Sequence, residues 1–100
     1  MESIKKIEKT VIVCPVLDCW KYTKQFIENI KKIGNYRIII IDNGSQIETK
    51  NGLAKMRNDK LIDVIYFENN RGVAYAWNIG VQRAIQKYKI AINTESGVIR

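Results

Sequence analysis

The most strongly patterned stretch of the chain is RIIIID at residues 37–42, where four consecutive isoleucines run into an acidic and polar segment. Isoleucine is stiff at its first side-chain torsion, and an unbroken apolar run needs cover on both faces, so this stretch predicts a central strand of a helix-covered parallel sheet. The β-branched run TVIVCP at residues 10–15 predicts a first strand and LIDVIYF at 61–67 a third. Between them the period changes. Phe26, Ile27, Ile30 and Ile33 recur at helical spacing while Lys24, Glu28, Lys31 and Lys32 fall on the other side; Asp18 stands where a helix cap is expected and Gly34-Asn35 where a stop is expected. A weaker helix carrying Ile47, Leu53 and Met56 is expected before the turn residues Asn58-Asp59. The longest helix is predicted over residues 72–87, where Val73, Ala76, Trp77, Gly80, Val81, Ala84 and Ile85 form one face whose small residues permit close approach to a sheet. Residues 89–92 predict a fourth strand.

Strand and helix therefore alternate, which predicts an α/β fold: a Rossmann-like three-layer sandwich with about four mainly parallel strands. Ligands of such sheets sit beyond the carboxyl ends of the strands, near the place where strand order reverses. That rule selects residues 15–18, 42–45, 69–72 and 93–96.

Composition narrows the chemistry. A chain of 100 residues, 46% hydrophobic and 27% charged, is expected to be one compact domain over 1–100, of modest stability unless a partner covers part of it. A formal charge of +7 attracts phosphates of any kind, but the lysines are scattered and no aromatic-interleaved basic stripe appears, so no specific nucleic-acid partner is expected. No apolar run approaches the ~20 residues of a membrane span, and the first residues, MESIKK, lack the apolar core of a secretory signal. A cytoplasmic location is expected.

With no histidine in the chain, a Ser-His triad, imidazole acid–base chemistry and a His-based metal site are excluded. Cys14 and Cys19 match neither the CxxC redox spacing nor a zinc knuckle, and Cys14 reads as a small buried apolar residue. The first strand ends without GxGxxG or GxxxxGK[ST], which removes the dinucleotide fingerprint and the P-loop. The acidic pair and later aspartate of a phosphoacceptor receiver domain are missing as well.

Taken in order, VIVCPVLD, RIIIIDNGS, NNRGVAYAWNIGVQRA and KIAINTES resemble the N-terminal half of the family-two inverting glycosyltransferases of the GT-A type, over nearly the whole chain. The third segment is the most specific, with two Asn-x-Gly triplets at helical spacing. The resemblance implies a partial GT-A fold that binds a UDP-sugar and transfers its hexosyl group with inversion. It implies that Pro15, Val16 and Leu17 pack around the uridine, and that Asp42, with Asn43 beside it, hydrogen-bonds the base. A carboxylate accepts only, so it suits the imide N–H of uracil; equally, Asp42 can serve as a turn residue bonding the Gly44 or Ser45 amide.

By the same resemblance Asn70, Arg71 and Gly72 form the turn facing the base or the phosphates. The Arg71 guanidinium suits either partner, or plain solvent, and Gly72 supplies an unusual backbone angle or a close approach. Asn78 is implied to be a buried, hydrogen-bonded tie between the long helix and the nucleotide loops. Glu95, in Asn93-Thr94-Glu95, stands where the family carries the last acid of its metal motif, implying Mn2+ or Mg2+ against the pyrophosphate, with oxygen ligands that suit either ion.

The family draws its catalytic base and acceptor pocket from the segment after that motif, whereas this sequence runs only to Arg100. The expectation is therefore a nucleotide-binding half, with apolar surface left to be covered in a homo-oligomer. Two other readings remain: a non-catalytic interaction module that keeps the fold, and a small basic nucleic-acid binder resting on charge alone.

Overall fold

The computed structural model describes residues 10–89, together with the backbone of residues 92–93 and 98–99. Three parallel strands form one sheet in the order β1-β2-β3: β1 is Val11–Val16, β2 is Arg37–Asn43 and β3 is Ile62–Phe67. Helices α1 (Trp20–Ile33), α2 (Ile47–Met56) and α3 (Val73–Tyr88) connect and cover them. The isoleucine run occupies the middle of the sheet, and Ile38, Ile39, Ile40 and Ile41 are all 0% exposed. Strand alternation divides them between two cores. Ile39 and Ile41 join Val11, Val13, Ala76 and Ala84 under α3, while Ile38 and Ile40 join Val16, Ile27, Ile30, Leu53 and Ile62 under α1 and α2. This is the three-layer arrangement expected from the apolar pattern.

Two glycines set how closely the helices approach. A Cβ at Gly80 would stand 2.4 Å from Val13 Cγ1 and 2.6 Å from Ile41 Cδ1, which explains a glycine inside a helix where it costs about 1 kcal/mol relative to alanine. Its row, Ala76, Gly80 and Ala84, is the buried stripe of α3. Gly52 does the same between α1 and α2, where a Cβ would meet the Trp20 ring at 2.2 Å.

Several expectations are corrected. Asp18 does not cap α1: it takes φ +54°, Cys19 is the N-cap with φ +55°, and no side chain bonds the helix start. The inward row of α1 is Thr23, Ile27 and Ile30, leaving Phe26 41% and Ile33 75% exposed, because the sheet meets the helix one side of the predicted stripe. In α2 Leu53 points inward, but Ile47 is exposed at the first turn. Val73, Trp77 and Ile85 stay exposed because the sheet accepts only the narrow small-residue row of α3. Lys89 ends α3 in a left-handed conformation, φ 60°, and the next strand, β4 (Ile92–Asn93), pairs antiparallel with β5 (Val98–Ile99). Among the described residues the parallel sheet thus has three strands and its order does not reverse.

At the amino ends of the strands a charge network locks α3 to β3. Arg83 Nη1 donates to both carboxylate oxygens of Asp63 at 2.9 Å, and Tyr88 Oη donates to Oδ2 at 2.8 Å. Lys87 adds a 3.6 Å ion pair, and the Arg37 guanidinium lies 4.2 Å from the Tyr88 ring centre. Partial burial alone would push the Asp63 pKa up, but the hydrogen bonds from Tyr88 and Arg83 and the nearby charges outweigh it and hold it below the usual carboxylate range. Burial, and then the bond to Asp63, push the Tyr88 hydroxyl up.

Two outcomes are expected. Gly52→Ala should lower unfolding free energy by about 1–2 kcal/mol in urea, because the displaced Trp20 ring outweighs the helix-propensity gain. For Asp63 the depressed pKa means a contribution that is full above the unfolded-state value near 4 and lost as pH falls through the folded value. Arg83→Met should therefore cost about 1 kcal/mol at pH 7, with the gap to the parent closing below about pH 4 in acid-titrated denaturation curves.

Candidate functional site

The carboxyl ends of all three parallel strands point to one polar crown, and its loops are tied to each other through side chains. Asp42, the last acid of β2, is 0% exposed although charged, so its carboxylate depends on internal partners. Ser45 N–H donates to Oδ1 at 3.1 Å and Lys50 Nζ to Oδ2 at 2.7 Å. The Ser45 hydroxyl in turn accepts the Asp18 amide at 2.7 Å, and Asp18 Oδ1 accepts the Gln46 amide at 2.6 Å. The loop after β1 is thereby fastened to the start of α2. The left-handed backbone at Asp18 and Cys19 belongs to this fastening.

The other side of the crown is tied by asparagines. Asn43, buried, accepts the Arg71 amide on Oδ1 at 2.8 Å, and Asn70 Oδ1 accepts the Gly72 amide at 2.8 Å. Between these turns Gly44 has φ +85°, and a Cβ there would stand 2.5 Å from Asn70 N and 2.6 Å from Asn69 C. The two loops touch backbone to backbone, which only glycine permits at that place. Gly72 has φ +86° with open space where its Cβ would be, so the backbone angle, not a close approach, accounts for it.

Arg71 reaches back over the aromatic pair at the base of α3. Its guanidinium lies 4.3 Å from the Tyr75 ring centre and 5.9 Å from Phe67, whose own ring is 5.5 Å from Tyr75. It remains exposed and lines a cleft of about 320 Å³ with Tyr66, Phe67, Glu68 and Asn69. Leu17 is 46% exposed at the tip of the first loop, beside half-buried Pro15 and buried Val16. The three loops expected to converge therefore do so.

Asn78 is the exception. It is exposed and its side chain makes no hydrogen bond among the described residues, which corrects the expected buried tie. It lies two residues from Ala76, about 200° around the helix, and so on the side away from the sheet. Glu95 lies outside the described residues, and among those described no three acidic or cysteine side chains gather as a metal site. Burial pushes the Cys14 thiol pKa up, as suits a packing residue.

Lys50 had no place in the sequence reading, yet it is the cation nearest the buried acid. Its position eight residues past Asp42, on the first turns of the following helix, was the available signal. The Ser45 link to the first loop had none, because it joins residues 27 apart.

The family profile described as Glycosyl transferase family 2 matches residues 11–93. Comparison with curated proteins finds no match. The matched span starts at β1 and runs through the crown to β4.

Replacing Gly44 by Ala should lower stability by about 2 kcal/mol or more, since a left-handed angle and a backbone clash are imposed together. Equilibrium unfolding in urea measures this, and a change below about 0.5 kcal/mol would show that the two loops do not pack as described.

Proposed function

Since the chain belongs to glycosyl transferase family 2, we propose that the crown binds a UDP-sugar, with transfer of the hexosyl group and inversion as the reaction served. The observation that carries this reading is the convergence of the loops after β1 and β3 on the end of β2 and the turn that follows it, cross-tied by Asp18, Asn43 and Ser45. A cradle held by its own hydrogen bonds needs little reordering when a ligand arrives.

In this reading the uracil ring packs against Pro15, Val16 and the exposed Leu17, and its imide N–H is accepted by the Asp42 carboxylate. Arg71 stands at the mouth of the cleft, where its guanidinium can pair with phosphate oxygens. Gly72 is the N-cap of α3, and the amino end of a helix favours negative charge. A divalent ion of the Mg2+ or Mn2+ class supplies charge neutralisation to the diphosphate when bound, and Glu95 is the carboxylate proposed to hold it. In the transfer itself an acceptor hydroxyl attacks the anomeric carbon, its proton passes to a base and the nucleoside diphosphate leaves. The described residues account for the donor, and none of them is assigned as that base.

The competing reading, a binding module without transfer, predicts nucleotide binding with no product. Calorimetric titration of UDP-glucose and UDP, with and without Mn2+, should show binding that the metal strengthens and that Glu95→Ala returns to the metal-free value. Absence of binding under every condition would sink the proposal. Labelled UDP-sugar separates the two readings, because metal-dependent release of UDP is expected only of a transferase or a hydrolase.

A further inference from the structure

The carboxylate assigned to the base has no exposed surface, so one of its present partners must give way before a ligand can reach it. The Ser45 amide is the poor candidate, since its residue is pinned in the turn by the bond to the Asp18 amide at 2.7 Å. Lys50 is the movable one. Its side chain is 32% exposed against 0% for Asp42, and it reaches the carboxylate on a flexible four-carbon stem. A second resting place is already within reach, with the Phe67 carbonyl 3.5 Å from Nζ and the exposed Tyr66 ring centred 5.7 Å away. Both of those residues line the cleft that holds Arg71.

We propose that Lys50 is a displaceable plug on Asp42, whose ammonium holds the position that the base takes and so sets how tightly an imide base binds. This rests on the nucleotide reading above. The exchange is donor for donor, and that imposes a selection rule. A base presenting an imide N–H, such as uracil, replaces one donor on Oδ2 with another, and the ammonium moves to Phe67 and Tyr66. Cytosine carries a bare ring nitrogen at the same position, would set a lone pair against the carboxylate, and leaves Lys50 in place. The plug thus weakens binding of an imide base, which must displace it, and leaves a base without an imide N–H unaffected.

The test compares UDP and CDP binding by calorimetry for the parent, Lys50→Met and Lys50→Gln at fixed metal concentration. Lys50→Met should tighten UDP roughly tenfold, the scale of one lost charge-assisted competitor, and leave CDP within about twofold, so that the preference for UDP widens. Lys50→Gln keeps a neutral donor and should move the same way by less, and it carries the test if Lys50→Met fails to fold by circular dichroism. Unchanged UDP affinity in both variants, or UDP and CDP weakened alike as a lost phosphate ligand would produce, overturns the plug while leaving the nucleotide reading intact. Failure of UDP to bind the parent and both variants overturns the nucleotide reading and the plug with it.

Discussion

Burial of β2 on both faces is the constraint from which the rest of the structure follows. Four isoleucines with no exposed surface cannot be covered by one layer, so α3 must lie on one side and α1 with α2 on the other. The connections between parallel strands supply those helices. Close cover in turn requires Gly80 and Gly52, because any side chain there would hold a helix off its neighbour. A short chain has few other ways to bury enough apolar surface, and its strongest apolar run is accordingly its most enclosed.

The same strand carries its burial past the apolar run into Asp42 and Asn43. A buried carboxylate must be compensated, and a buried amide must be bonded. Their partners come from the turn after β2, from α2 and from the loop after β3, so satisfying the end of β2 also assembles the crown. Lys50 and Ser45 answer Asp42, the Arg71 amide answers Asn43, and Ser45 passes the connection on to Asp18. Site geometry is here a consequence of polar satisfaction in the core, without any separate scaffold.

What could be read in the sequence follows the range of each interaction. The strands, the three-layer order and the loops at the carboxyl ends were legible because apolar period and turn residues are local signals. Asp18 was misread because its backbone angle and its carboxylate serve a contact 28 residues away at Gln46, which no local rule registers. Asn78 was misread for a related reason: its family position suggested a buried tie, but helical geometry turns it away from the one narrow stripe that the sheet accepts. Gly44 was visible as a turn glycine, whereas its closest neighbours, Asn69 and Asn70, arrive from the loop after β3. The site is thus legible as a set of loops and illegible in its ties.

The two ends of the sheet solve opposite problems with similar residues. At the amino ends Asp63 receives Arg83, Tyr88 and Lys87, so its charge is met by more donors than it needs and the knot has no reason to open. At the carboxyl ends Asp42 is more deeply buried but has, among the described residues, one fixed partner and one partly exposed one. Hydrogen bonds between side chains and backbone amides hold the loops, while among the described residues the only charged partner of the central acid is a long side chain with another place to go. An acid of the first kind stabilises a fold, and an acid of the second kind can exchange its partner for a ligand without dismantling the loops around it.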